Sequence, residues 1–158
     1  MFGERDSPTR AAQMRSTDIL RAVNPFRPVE TVDAHCDLFC GVYYPEQARI
    51  EAESVMNCSV KYHDSDDEVF RARCISIKEE RAELVKHHLW VLWTDYFKPP
   101  HLEEYPELHE MFWKATKAAG DAKKSMDPED GQKLLDLIDG ISVIFWKTKG
   151  GKPEWMTS

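Results

Sequence analysis

A short segment of the chain combines one imidazole with two thiols. His35, Cys36 and Cys40 lie within the stretch His35-Cys36-Asp37-Leu38-Phe39-Cys40-Gly41-Val42-Tyr43. These side chains are soft or borderline ligands that suit zinc, copper or nickel, and a fourth donor must come from elsewhere. One candidate is the backbone, because a free amine on His35 and a deprotonated Cys36 amide would complete a square plane, the geometry that nickel(II) prefers. The spacing alone leaves all three metals open.

Four amphipathic helices are predicted after this segment, since apolar residues recur at spacings of three and four. The stripes are Ala48, Glu51, Val55, Cys58 and Tyr62 in the first helix; Phe70, Cys74, Ile77, Arg81, Leu84, His88 and Leu92 in the second; Leu108, Met111, Phe112, Ala115 and Ala119 in the third; and Leu134, Ile138, Ile141 and Phe145 in the fourth. With short connections and no alternating strand pattern, the sequence predicts an all-α fold. Its architecture is an antiparallel four-helix bundle over about residues 45–149, preceded by a metal-binding loop, residues 35–43, and followed by a short C-terminal tail.

Proline, glycine and capping residues predict where these helices begin and end. The predicted boundaries are Pro45 as the first residue of the first helix, a cap for the second within residues 63–66, its end before Pro99-Pro100, the end of the third near Gly120, Asp127 and Pro128 at the start of the fourth, and Gly150-Gly151 after its end.

Two charged residues fall on the predicted buried faces. Glu51 lies on that of the first helix and Arg81 on that of the second, where an isolated charge would be costly. Each needs the other or another polar partner, unless both lie at the edge of the core with their charged ends in water. Cys58 and Cys74 also fall on these faces and are interpreted as small core residues.

Residues 1–34 differ in composition from the rest. They contain three prolines, little apolar pattern, and five arginines that balance five acidic residues, so the whole net charge of −7 belongs to residues 35–158. Such a segment buries too little apolar surface to fold firmly by itself. The sequence therefore predicts two parts: a leader over residues 1–34 and a single domain over residues 35–158.

The composition excludes several classes of protein. With 158 residues, 42% of them hydrophobic, the chain suits one compact core. Its negative charge, with Lys and Arg interleaved among Asp and Glu, argues against a nucleic-acid partner. It has no apolar run long enough to span a membrane and no secretory signal. Four irregularly spaced cysteines do not resemble a disulfide framework, so we expect a reducing, cytoplasmic setting.

The segment that begins at His35 resembles the nickel hook of the nickel superoxide dismutases, usually His-Cys-x-x-Pro-Cys-Gly-x-Tyr at the mature N-terminus. The resemblance covers essentially all of residues 35–149. Its further motifs are Pro45-Glu46-Gln47-Ala48-Arg49-Ile50-Glu51-Ala52-Glu53-Ser54-Val55, Ile77-Lys78-Glu79-Glu80-Arg81-Ala82-Glu83-Leu84, Lys86-His87-His88, Asp95-Tyr96-Phe97-Lys98-Pro99-Pro100-His101, Tyr105-Pro106-Glu107-Leu108-His109 and Ile144-Phe145-Trp146.

This resemblance implies an enzyme that disproportionates superoxide to oxygen and hydrogen peroxide by cycling nickel between +2 and +3. One nickel ion per subunit would be held by the amine and imidazole of His35, the amide and thiolate of Cys36, and the thiolate of Cys40. Residues 1–34 would be a pro-segment, which a maturation peptidase removes by cleaving between Ala34 and His35. The family assembles as a homohexamer, so we expect the same here.

The resemblance also assigns roles around the metal. Tyr43 is expected to be a catalytic residue and, with Tyr96, to gate the approach to the metal. Glu51 and Arg81 match a pair that orients the hook histidine, and Lys98 is expected to lie near the hook.

One position departs from the family pattern, since Phe39 stands where proline usually precedes the second cysteine. We expect a less preorganised hook, and restoring proline should raise nickel occupancy. Two other hypotheses stay open at this point: a nickel or copper carrier without turnover, and a thiol redox or interaction protein in which Cys36 and Cys40 form a reversible disulfide.

Overall fold

The structure is a computed structural model, and it describes residues 41–153. All its regular elements within this range are helices: α1 Glu46–His63; α2 Glu68–Val91, which continues as a π-helical turn Leu92–Tyr96; a short α3 Pro99–Glu104; α4 Leu108–Lys124; and α5 Pro128–Thr148.

The four long helices form a bundle in which each packs against two neighbours. Helices α1 and α5 run antiparallel, because Glu46 contacts Trp146 while Arg49, further along α1, contacts Asp139, earlier on α5. The same reversal relates α1 to α2, and α2 to α4. The three-residue connection between α4 and α5 reverses the chain in the same way. The predicted antiparallel four-helix bundle is confirmed.

Most predicted helix ends are close to the observed ones. Asp127 caps α5 as predicted, its carboxylate accepting the backbone N–H of Glu129 at 2.9 Å. The helix ends at Thr148, and Gly150 follows with a φ of 82°, which a glycine adopts without strain. The second helix ends before Pro99, as expected.

Three helix boundaries differ from the prediction, and one short helix was not predicted. Pro45 is the N-cap of α1 instead of its first helical residue. The cap of α2 is Asp67, just beyond residues 63–66, and its carboxylate accepts the N–H groups of the next turn. Helix α4 continues past Gly120 to Lys124, because a single glycine costs only about 1 kcal/mol and the flanking alanines are buried. The short α3 was not predicted, although Pro99 at its start suits a first helical position.

The buried face of α5 follows the predicted stripe. Leu134, Ile138, Ile141 and Phe145 are all fully or almost fully buried. In α4 the stripe is likewise correct for its main residues, with only Met111 half-buried. In α1, Ala48 and Val55 are buried. The other members of the stripe are half-buried, namely Glu51, Cys58 and Tyr62.

The predicted stripe of α2 is correct at Cys74 and Leu92, which are buried, but its other members lie about one residue from the buried face. Phe70 and Ile77 are each 39% exposed. Leu84 and His88 are half-buried, and between Cys74 and Leu92 the buried residues are Lys78, Ala82, Val85 and Leu89. The cause is Lys78, which is 1% exposed and donates from Nζ to the carbonyls of Ala122, Lys123 and Ser125 at the end of α4. A lysine can be buried when carbonyl oxygens accept its hydrogens, but these acceptors lie far away in the sequence.

No helix within residues 41–153 combines the length and apolarity that crossing a membrane would require.

Candidate functional site

Aromatic side chains gather at the end of the bundle where the chain enters α1. We call this group the aromatic end; its members are Tyr43, Tyr44, Tyr96, Phe97, His101, Phe145 and Trp146. Tyr43 is only 6% exposed and lies 6.5 Å from Tyr96 between ring centroids. Tyr96 also packs on Phe145 at 4.5 Å and stacks on His101 at 5.5 Å. The aromatic end therefore brings together the two tyrosines that the sequence singled out.

The π-helical turn at the end of α2 carries one of these tyrosines. In this turn the backbone N–H of Phe97 donates to the carbonyl of Leu92, five residues back, at 3.4 Å. Such turns are rare and change the angular position of the side chains that follow. The segment thereby places Tyr96 against the C-terminal turn of α5.

The hydroxyl of Tyr96 is committed to a neighbouring threonine. Its oxygen lies 2.6 Å from Oγ1 of Thr148, and the Thr148 hydroxyl donates to the carbonyl of Phe145 at 2.7 Å. Because a carbonyl only accepts and threonine has one hydroxyl hydrogen, Tyr96 must donate to Thr148. The Tyr96 oxygen can still accept hydrogen bonds, but its hydroxyl hydrogen is already donated to Thr148.

Two lysines add positive charge at the same end. Lys149 Nζ lies 4.8 Å from the centre of the Tyr96 ring, within the range of a cation–π contact. Lys152 Nζ lies 3.0 Å from Oε1 of Glu46, which also accepts the indole N–H of Trp146 at 2.9 Å. The aromatic end is thus apolar inside with cationic groups at its edge.

The second group of predicted site residues lies in the contact between α1 and α2. Arg81 Nη1 is 3.3 Å from Oε2 and 3.5 Å from Oε1 of Glu51. The Glu51 side chain is 16% exposed and that of Arg81 37%. The two charges therefore pair with each other, and the pair lies at the edge of the core, so two of the alternatives that the sequence left open hold together.

The two groups are separate within the described residues. Arg81 and Tyr96 lie fifteen residues apart along α2 and its π-helical continuation, which corresponds to about 20 Å at 1.5 Å per residue. Lys98 is exposed beside the aromatic end, where its backbone N–H donates to Nδ1 of His101 at 3.1 Å.

The predicted nickel ligands His35, Cys36 and Cys40 lie outside the described residues, as do Ala34 and Phe39. Among residues 41–153, no group of three or more His, Cys, Asp or Glu side chains has the arrangement of a metal site. The first described residue, Gly41, directly follows Cys40 and has a φ of 73°, a conformation that favours glycine.

Two residues that contact Tyr96 in the aromatic end, Thr148 and Lys149, were not predicted from the sequence. A lysine such as Lys149 is common after the C-terminal end of a helix, where a cation suits the helix dipole, so its type alone does not indicate a site. No local pattern pairs either residue with Tyr96, which lies 52 residues from Thr148 in the sequence.

Comparisons with known proteins agree with this arrangement. The sequence profile of the family described as nickel-containing superoxide dismutase matches residues 30–149. The superoxide dismutase [Ni] of Streptomyces coelicolor is 59% identical over 124 residues, which cover 78% of this chain and 95% of the relative. The protein of the same name from Streptomyces seoulensis is 60% identical over 124 residues, with the same coverage of both chains.

Solved structures show the same likeness. The native structure of a nickel superoxide dismutase at 1.30 Å superposes with a TM-score of 0.72 and 58% identity, and the match covers 74% of this chain and all of that chain. An apo structure of a nickel superoxide dismutase gives a TM-score of 0.69 at 57% identity, covering 70% of this chain and all of that one. The chain therefore belongs to the nickel-containing superoxide dismutases, a family of oxidoreductases that act on superoxide.

Proposed function

We propose that the chain is the precursor of an enzyme that converts superoxide into oxygen and hydrogen peroxide with one nickel ion per subunit. The observation that carries this proposal is the family match over residues 30–149, which includes the His35–Cys40 segment and the whole bundle. The solved relative is matched in full by 74% of this chain. About a quarter of the chain thus lies outside that match, which is consistent with a removable leader and a tail.

The donor set of the segment fits nickel. His35 would bind through its terminal amine and its imidazole, Cys36 through its amide and thiolate, and Cys40 through its thiolate. Anionic thiolate and amidate donors stabilise the higher oxidation state, and soft sulfur ligands suit a late transition metal. When bound, nickel supplies one-electron redox chemistry between the +2 and +3 states.

Tyr43 and Tyr96 would control the approach to this site. Tyr43 is three residues from Cys40, so their Cα atoms are at most about 11 Å apart. Its ring is buried against the aromatic end, where Tyr96 is held by Thr148. Held in this way, the two aromatic rings would let only small molecules reach the metal and would exclude bulk water. Tyr43 would touch the substrate as a catalytic residue, while Tyr96 forms the wall.

Glu51 and Arg81 would position the imidazole of His35. A ligating imidazole usually gives its second ring nitrogen to an orienting partner, and Glu51 is a partly buried carboxylate already held by Arg81. The pair would thus fix the ring without itself contacting superoxide. Lys98, together with Lys149, would supply local positive charge that attracts the superoxide anion despite the negative total charge.

The family resemblance supports two further parts of the proposal. The subunits would assemble as a homohexamer, and a maturation peptidase would cleave between Ala34 and His35. A third part, action in the cytoplasm, rests instead on the four irregularly spaced cysteines, which suit a reducing compartment. The small residue Ala34 and the change of composition after residue 34 favour this cleavage site.

The test is spectroscopy and activity on the mature, nickel-loaded protein. Electron paramagnetic resonance should give a rhombic nickel(III) signal with coupling to nitrogen, and the sample should remove superoxide in proportion to its nickel content. Zinc or copper in place of nickel, or a protein that binds nickel without removing superoxide, would contradict the proposal and favour a metal carrier.

A further inference from the structure

The contact between α1 and α2 places two cysteines opposite each other. On one side of them, Glu51 pairs with Arg81 at 3.3 Å. Cys58 follows Glu51 by seven residues, and Cys74 precedes Arg81 by seven. Since seven residues are two turns of helix and the two helices run antiparallel, both steps lead to the same level and the same face.

A second contact brackets the cysteines from the other side. The guanidinium of Arg71 lies 4.1 Å from the centre of the Tyr62 ring. Cys58 precedes Tyr62 by four residues and Cys74 follows Arg71 by three, one helical turn in each case. The two measured contacts therefore fix the register of α1 against α2 above and below the cysteine pair.

The two thiols differ in access. Cys74 is 5% exposed, whereas Cys58 is half-buried, and both are free thiols. An oxidant from solvent therefore meets Cys58 first. Cys74 is protected from solvent, and the register of the two helices places it opposite Cys58.

The environment makes the outer thiol slow to react. Burial raises the pKa of the Cys58 thiol, and Cys74 raises it further, whereas the cations Lys61, Arg81 and Lys78 lower it. The thiolate is the nucleophile, so at neutral pH only a small fraction of Cys58 can react. Oxidation should accelerate as the pH rises towards this raised pKa.

We propose that Cys58 and Cys74 are an oxidisable dithiol, which hydrogen peroxide converts into a disulfide between α1 and α2. The Cys58 thiolate attacks one peroxide oxygen, the O–O bond breaks, and a sulfenic acid and one water form. The Cys74 sulfur then attacks the Cys58 sulfur, the S–O bond breaks, and a second water leaves. Two thiols lose two electrons and one peroxide gains them. The pairing is independent of the proposed function, which supplies only one source of peroxide.

The experiment treats the mature chain, which begins at His35 and is loaded with nickel, with hydrogen peroxide at pH 7 and pH 8.5. The remaining thiols are then blocked, and tryptic peptides are mapped by mass spectrometry. Cys58 lies in peptide 50–61 and Cys74 in peptide 74–78, both distinct from the peptide that carries Cys36 and Cys40. We expect a linked 50–61/74–78 pair that a thiol reductant separates and that forms faster at pH 8.5. The disulfide should raise the melting temperature by roughly 5–10 °C.

Cys58→Ser is the matched control, because it removes the more exposed thiol and leaves Cys74 in the core. It should abolish both the linked pair and the peroxide-dependent rise in melting temperature. Since the primary result is the peptide map of the unaltered chain, it does not depend on how a variant folds. Sulfinic or sulfonic acid at Cys58 without a link, or two thiols still free after prolonged treatment at pH 8.5, would overturn the proposal.

Discussion

Helices α5 and α2 are both long and both pack against two neighbours, but they bury different chemistry. The inward face of α5 is apolar, with Leu134, Ile138 and Ile141 fully buried. The inward face of α2 includes Lys78, whose charge is satisfied by three carbonyls of another part of the chain. The comparison shows that the spacing of apolar residues within one helix predicts which of its faces packs in the core. The burial of a polar side chain depends on hydrogen-bond partners elsewhere in the chain, which that spacing does not reveal.

The largest expected effect concerns the buried lysine. Lys78→Met keeps the length of the side chain but leaves the last carbonyls of α4 without their donor. Because each unsatisfied buried acceptor costs about 1–3 kcal/mol, we expect the free energy of unfolding to fall by about 2–4 kcal/mol. Denaturant unfolding, monitored by circular dichroism, measures this change in the free energy of unfolding.

The control is Lys123→Met, because Lys123 forms a more exposed ion pair with Glu83. Exposed pairs of this kind contribute at most about 1 kcal/mol. Equal losses of unfolding free energy in the two variants would mean that the hydrogen bonds from Lys78 to the carbonyls stabilise the fold no more than an exposed ion pair. The contrast between the buried faces of α2 and α5 would then be wrong.

The second prediction concerns the charged pair between α1 and α2. Glu51→Gln or Arg81→Ala should lower superoxide removal per bound nickel by about 10–100-fold, because an orienting partner of a ligating imidazole is lost. The helices should stay folded by circular dichroism, since the pair lies at the edge of the core. The measurement is activity normalised to metal content.

Arg49→Ala provides a matched arginine control, because Arg49 also forms ion pairs from α1, with Glu53 and Asp139, on the exposed surface. Its activity per nickel should be unchanged. Full activity in both Glu51→Gln and Arg81→Ala would show that the pair is only structural.

The features that could be predicted from the sequence are those that depend on residues within one helix. The α5 stripe and its Asp127 cap depend on residues within one helix, so both predictions are correct. The ion pair between Glu51 and Arg81 is observed; the stripes marked both charges as needing a partner, and the family resemblance implied the pair. The face of α2 and the role of Thr148 beside Tyr96 were not predictable, because each depends on a contact between segments more than 40 residues apart. The roles of His35, Cys36 and Cys40 stay predictions.

The smallest expected effect distinguishes the two tyrosines of the aromatic end. Because the Tyr96 hydroxyl hydrogen is used by Thr148, Tyr96→Phe should cost about 1 kcal/mol of stability and change activity less than Tyr43→Phe does. Kinetic measurements over a range of pH on both variants test this order. A larger activity loss in Tyr96→Phe would mean that its hydroxyl acts directly on the substrate.

The proposed nickel site needs a terminal amine at His35. While Ala34 is joined to His35, that nitrogen belongs to an amide whose lone pair is delocalised into the carbonyl, so it is a poor donor. The most direct test prepares the full chain and a form that begins at His35, loads both with nickel, and compares superoxide removal, with the intact precursor verified by mass spectrometry. We expect superoxide removal only in the trimmed form; equal activity in the uncut chain would contradict the need for a terminal amine.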